Sequence, residues 1–232
     1  MLDSPNGARL SHYPAQRHPA GRGKPLQRDL AMSTVAINVA AMLAVAGGRV
    51  LLVDADPQGS ALSWSSMRAR DPLFAVVGMA RPTLHRELPA IATKYDVVMI
   101  DGAPGVNDLG RAAILASDLV LVPVQPSPYD IWAAAETVNS IREARQFKKN
   151  LKGAFIINRK IANTVIGCEA AAALAQFVDL PVLATALNQR VIYAESAAQG
   201  LAVIEAAPNS EAAREMGTLA KQILIEKERT SA

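Results

Sequence analysis

The chain has 232 residues, half of them hydrophobic and 19% charged, with a single cysteine, Cys168. That is apolar material enough for a sizeable core, too little charge for wholesale disorder, and too little sulfur for a disulfide framework or a four-cysteine metal site. The net charge of +3 lies entirely in residues 1–30, where Arg9, Arg17, Arg22, Lys24 and Arg28 stand against Asp3 and Asp29, so the body is neutral and the basic balance is poor evidence that the whole domain binds nucleic acid.

Residues 1–30 read as an irregular basic arm: four prolines, two of the three histidines, and neither a helical nor a strand period. "GRGK" (21–24) faintly resembles the end of a phosphate loop, but Pro25 stands where a hydroxyl is needed and no strand precedes it. From residue 31 onward the pattern predicts one α/β domain reaching residue 232. "STVAINVAAMLAVAGG" predicts a helix capped near Ser33 or Thr34 and stopped by Gly47-Gly48. "RVLLVDAD" is a continuous apolar run, as in a strand buried on both faces. Helices then alternate with strands: "GSALSWSSMRAR" before "LFAVVGM", "TLHRELPAIATK" before "YDVVMIDGAP", and "NDLGRAAILAS" before "DLVLVPVQPSP". A long helix from Tyr129 to Asn150 precedes "KGAFIINRK", a helix at 163–178 precedes a strand "PVLATALNQ", and helices at about 191–199 and 209–228 close the chain. This alternation predicts one doubly wound, mostly parallel sheet flanked by helices. No apolar run reaches the roughly 18 residues of a membrane span, and the N-terminus has no apolar middle region of a secretion signal. The expectation is a cytoplasmic protein with no stable membrane insertion.

In open parallel sheets, ligands bind beyond the carboxyl ends of the strands. Three loops there carry polar groups. "VDADPQGS" presents Asp54 and Asp56, then Gln58, before turning into a helix. "VVMIDGAPG" places Asp101 after four apolar residues, where a carboxylate can hold a Mg²⁺-bound water against the phosphates of a nucleotide. "PVQPSPYD" is a proline-stiffened loop able to wall a base or ribose. A strand-terminal aspartate alone often only caps the next helix; the spaced combination is what argues for a site.

These residues carry a resemblance. Ser33 to about Glu228 resembles the ParA-type ATPases that segregate plasmids and chromosomes, a deviant-Walker-A branch of the P-loop proteins with MinD and nitrogenase iron protein as cousins. The likeness rests on "STVAINVA", "RVLLVDADPQGSALSW", "YDVVMIDGAPG", "SDLVLVPVQPSPYDIWAA", "NRK" and "TALNQRVIYAESAAQG", and is to the compact members without an N-terminal DNA-reading domain. It implies ATP with Mg²⁺, and roles residue by residue. Asp56, with Asp54 nearby, would orient the attacking water, while Asp101 would hold Mg²⁺ through water. Thr34 or Ser33 would give it a hydroxyl. Asn158 and the loop Gln125 to Asp130, with Pro126, Pro128 and Asp130, would contact adenine and ribose, and Gln58 lies in the aspartate loop. Arg190 falls where the family tends to place non-specific DNA contacts. The implied partners are a second copy upon ATP binding, DNA, and a ParB-type centromere-binding adaptor, and the implied location is the nucleoid.

The departure lies in the phosphate loop. Where the family has K-G-G-x-G-K-[ST]-T, this chain has Gln27-Arg28-Asp29-Leu30-Ala31-Met32-Ser33-Thr34. The glycines that let backbone N–H groups converge on phosphate are absent, as are both lysines. No apolar strand precedes the loop. Two explanations stand side by side: a pseudo-ATPase acting as an adaptor, or N-terminal residues read in a frame other than the family's. The C-terminal helix, with Met216, Leu219, Ile223 and Leu224 on one side, reads as docked on its own core rather than on a membrane. Arg142, Arg145, Lys148, Lys149 and Lys152 read as a solvated helix end or, alternatively, a DNA strip.

Overall fold

The computed structural model describes residues 29–228, apart from 104, 106 and 163. The arm up to residue 28 lies outside the described residues, as does the side chain of Cys168. The elements run α1 (Asp29–Val45), β1 (Val50–Ala55), α2 (Ser60–Ser66), β2 (Ala75–Gly78), α3 (Leu84–Ala92), β3 (Val97–Gly102) and α4 (Asp108–Ala116). They continue with β4 (Leu119–Val124), α5 (Pro128–Arg145), β5 (Lys152–Ile157), α6 (Val165–Leu174), α7 (Ile192–Ala197), α8 (Val203–Ala206) and α9 (Glu211–Glu228).

α1 begins at Asp29, four residues ahead of the expected cap, so Ser33 and Thr34 sit inside the helix. Its residues Val35 to Ala41 are all buried, which fits a sequence apolar all round. It ends as expected: Gly47 adopts φ 94°, and the Gly48 N–H returns to the Leu43 carbonyl at 3.1 Å. One face of α1 meets β1 and β3, and another carries α9, whose Ala212, Ala213, Met216, Leu219, Ala220 and Ile223 are buried. Asn38 fastens this layer, donating to the Thr34 carbonyl at 2.8 Å and accepting from the Val203 N–H at 2.7 Å.

Every strand pair is parallel. β1 lies at the centre of three strands ordered β2-β1-β3, in which Asp54 is level with Asp101, and β4 pairs with β5 alone. The sheet expected to be continuous is thus, among the described residues, two sheets with the facing edges of β3 and β4 unjoined. Side-chain directions nonetheless make them one layer. Val97 and Met99 of β3 and Leu119 and Leu121 of β4 pack into the core shared with α1 and α9. Val98 and Ile100 turn instead toward α3 and α4, and Val120 toward α4 and α5. In the sequence no apolar run precedes α1. "PVLATALNQ" also differs from expectation. It contributes isolated bridges, Phe155 to Val182 and Lys160 to Asn188, because its backbone returns to β5 only at intervals.

The C-terminal half is locked to α2 by a buried ion pair. Arg68 donates to both carboxylate oxygens of Glu205 at 2.6 and 2.9 Å, with side chains 5% and 10% exposed, and its guanidinium lies 6.0 Å from the Trp64 ring centre. The pairing raises the Arg68 pKa. Burial pushes Glu205 up, but Arg68 and the Ala202 N–H outweigh it and its pKa is lowered. Removing one partner leaves a buried charge alone, so Arg68→Ala is expected to lose about 3 kcal/mol in urea unfolding. A loss under about 0.5 kcal/mol, the scale of an ordinary surface change, would contradict a buried lock.

Candidate functional site

The carboxyl end of β1 builds the first part of the site. Asp54 is fully buried, and both its oxygens are used: Oδ1 accepts from the Asp56 N–H at 3.2 Å and Oδ2 from the Leu62 N–H at 2.9 Å, in the first turn of α2. Asp54 therefore braces the loop that presents Asp56. Asp56 is buried too; its Oδ1 accepts from the Gln58 N–H at 2.9 Å, and the turn closes with the Gly59 N–H on the Asp56 carbonyl at 3.0 Å, Gly59 taking φ 65°. The Gln58 side chain is exposed on the outside of this turn.

Asp101 ends β3 beside Asp54 and is 2% exposed. Its Oδ2 is buried without a hydrogen-bond partner. Burial pushes its pKa up to about 7; the Ser33 hydroxyl works the other way, and the charges of Asp54 and Asp56 add to the rise. Near neutrality this carboxyl is thus poised between its two forms, and a cation at the vacant oxygen would favour the ionised one.

Asp101 also lines a cavity of about 680 Å³ that reaches Met32, Gln125, Asp130 and Asn158. The structure therefore gathers Asp101, Asp130 and Asn158 on one cavity, and brings Ser33 to Asp101 through their hydrogen bond. Asn158 is positioned by its own backbone, its N–H on the Val124 carbonyl at 2.8 Å, while its Oδ1 accepts from the Arg159 N–H at 2.9 Å. Thr34 lies one residue further along α1; Pro126 and the exposed Pro128, which opens α5, do not line the cavity, although Gln125 and Asp130 on either side of them do. Arg190 is not part of this gathering. Its guanidinium is held by Glu215 of α9 at 2.7 Å, and Glu215 also accepts from Asn188 at 2.6 Å. The basic residues at the end of α5 and beyond it are likewise engaged: Arg142 and Arg145 with Asp179, Lys148 with Asp118, and Lys152, which opens β5, with the Glu226 carbonyl. A DNA strip of free cations is not what those four residues form.

One pair went unread in the sequence. Tyr129 and Trp132, 74% and 67% exposed, meet edge to face at 5.5 Å on the first turns of α5, next to the 125–130 loop. The signal was available as two aromatics three apart at a helix start, in a chain only 4% aromatic.

Comparison with known proteins gives this geometry its context. Residues 61–153 match the AAA domain family. The chain is 28% identical to the maintenance of carboxysome distribution protein A of Halothiobacillus neapolitanus, over 83% of this chain and 90% of that protein. It is 29% identical to the chromosome-partitioning ATPase Soj of Thermus thermophilus, with the same coverage. The chain is thus similar to proteins that partition chromosomes or distribute carboxysomes. The fold is shared more widely: the septum site-determining protein MinD of Pyrococcus horikoshii, solved with Mg-ADP, superposes with a TM-score of 0.66 at 19% identity, over 84% of this chain and 90% of that one.

The likeness suggests a magnesium nucleotide, and the residues present fit it on one side only. The cation side fits, because Asp101 has an unsatisfied buried oxygen beside Ser33. The phosphate side does not. From Asp29 the backbone is already helical where a glycine loop would wrap phosphate, and residues 29–32 bring an aspartate and no lysine.

Proposed function

We propose that this chain is a ParA-type positioning protein, serving the distribution of DNA or another large cargo in the cell. The observation that carries the reading is the carboxylate set at the carboxyl edge of the parallel sheet, Asp54 and Asp101 in register with Asp56 presented beside them. Relatives that segregate chromosomes or maintain carboxysome distribution support it. In this reading the cofactor is ATP with Mg²⁺. Asp101 and the Ser33 or Thr34 hydroxyl face the cation, Asp56 faces the water, and Gln58, Asn158 and the 126–130 loop face the nucleoside. The partners are a second copy, non-specific DNA and a ParB-type adaptor, in a cytoplasmic, nucleoid-associated setting. Membrane cycling as in MinD is the weaker alternative: among the described residues no helix is long and apolar enough to cross a membrane, and α9 spends its apolar face on α1.

With its phosphate side unformed, the chain as it stands acts as a non-hydrolysing module. Phosphate release by the full chain is expected to stay at background with ATP and Mg²⁺, with or without double-stranded DNA; turnover at an ordinary enzyme rate of about 1 s⁻¹ would overturn this. The positioning role itself is tested by deleting the coding sequence and imaging plasmid and organelle-scale cargo. Unchanged distribution and inheritance would remove the proposal.

A further inference from the structure

We infer that α2 is a strut through which the turn between α7 and α8 sets the place of the Asp56 carboxylate. Trp64, Arg68, Gly200 and Glu205 are then positioning residues for the aspartate loop, given the proposed site in which Asp56 faces the water. A helix start normally gives its first N–H groups to a cap side chain. Gly59 stands at the cap of α2, in the left-handed region at φ 65°, and brings no side chain to the task. The Leu62 N–H that a cap would take goes instead to Oδ2 of Asp54 at 2.9 Å, reached from the end of β1. The other oxygen of Asp54 accepts the Asp56 N–H at 3.2 Å. One buried carboxylate thus ties the first turn of α2 to the backbone of Asp56, and a shift in one bond is felt by the other.

The far end of α2 is fixed as tightly. The Trp64 indole N–H donates to the Leu201 carbonyl at 3.2 Å, and its ring stacks 5.8 Å from that of Phe74. Arg68 donates to the Gly200 carbonyl at 3.2 Å as well as to Glu205. Glu205 also accepts the Ala202 N–H at 3.0 Å, which closes the turn on itself. Gly200 takes φ 64°, and a Cβ there would stand 2.5 Å from the Arg68 nitrogen and 2.7 Å from its Cα. Those are backbone atoms, so no side chain can rotate away and the two segments meet without slack. Between the anchors lie seven helical residues, a rigid length of about 10 Å. A displacement of the turn therefore reaches Asp54 as a movement of the whole helix. An ion pair serving stability alone could sit anywhere on α2, whereas this one ends a helix whose other end is capped by the site itself.

The test uses nuclear magnetic resonance on the full chain, with no nucleotide present. An amide proton resonance follows hydrogen-bond length in the folded molecule, so a loss of global stability does not by itself move it. Glu205→Gln keeps an acceptor for Arg68 and removes the charge, and Gly200→Ala presses on the Arg68 backbone. Each is expected to shift the Asp56 and Leu62 amide protons beyond the spread seen across β4 and β5. Coupling between two places is reciprocal, so Asp54→Asn is expected to shift the Trp64 indole N–H. Should Gly200→Ala fail to fold, Glu205→Gln decides alone. Asp56 and Leu62 resonances that move no more than those of β4 and β5 in every folded variant would overturn the strut, whatever the melting temperature does. An indole N–H unmoved by Asp54→Asn would overturn it too. Because nucleotide takes no part, such a failure leaves the proposed site standing, and a failure of that reading in the deletion strain leaves these shifts as expected.

Discussion

Replacing residues 1–32 by a six-residue apolar strand followed by Lys-Gly-Gly-x-Gly-Lys, joined to Ser33, is expected to raise ATP turnover at least about 100-fold, the scale on which one preorganised donor acts. The change restores what the site lacks. Glycines let successive N–H groups face phosphate, the lysine adds a point charge, and the strand fixes where both sit. Asp54, Asp56 and Asp101 need no alteration, since the first two are already braced by backbone N–H groups and the third keeps a buried oxygen without a partner. Grafting the loop without the strand is expected to recover less, because nothing then fixes where the loop sits. Adding Asp56→Asn to the full graft should abolish the gain. A full graft as inert as its parent, measured by phosphate release, would mean that the carboxylate set is not a hydrolytic site. The same argument bears on the gene: if the residues before Ser33 are out of frame, one of the other two frames upstream encodes such a strand and a KGG…GKS loop. Their absence from both frames leaves the pseudo-ATPase adaptor.

Much of the architecture was legible because it is written in local patterns. β1 was a continuous apolar run between glycines and aspartates, and the structure buries all of it. The aspartates at its end and at the end of β3 were placed at the carboxyl edge by the rule for parallel sheets, and they meet there in register. What the pattern could not reveal depends on partners distant in sequence. Asp54 reads alike as a catalyst or a brace; only the Leu62 N–H bonded to it shows the second use. Arg190 reads as an exposed cation until Glu215 comes to it from α9, 25 positions away. The start of α1 was misplaced because Asp29 to Met32 were aligned as a loop, whereas with no glycine among them they extend the helix. The unjoined edges of β3 and β4 were foreshadowed by the absence of an apolar run before Ser33, but which strands would be left apart needed the fold.

The second large effect concerns Asp101 and stability. Its folded pKa of about 7 stands well above the ordinary 3.8, so between those values the unfolded chain has lost a proton that the folded chain keeps. Stability therefore falls as pH rises from about 4 to about 7 and levels off above. The whole span corresponds to at most about 4 kcal/mol, with the ionised carboxylate the costly form. Asp101→Asn removes the charge while keeping an acceptor for Ser33, so it is expected to flatten this part of the profile and to raise the melting temperature at pH 8 by about 5 °C or more. Scanning calorimetry of both proteins from pH 5 to 8 decides the matter. A substitution that is neutral or harmful at pH 8, with a parent stability that does not decline over that range, would show that Asp101 is not a stored strain. If the effect appears, its meaning reaches beyond stability. A fold that spends several kcal/mol to keep a carboxylate buried with an oxygen unsatisfied is carrying a group whose partner comes from outside the chain. Under the proposed function that partner is a cation, beside a phosphate grip that this sequence lacks, and the result would separate loss of the loop from decay of the site as a whole.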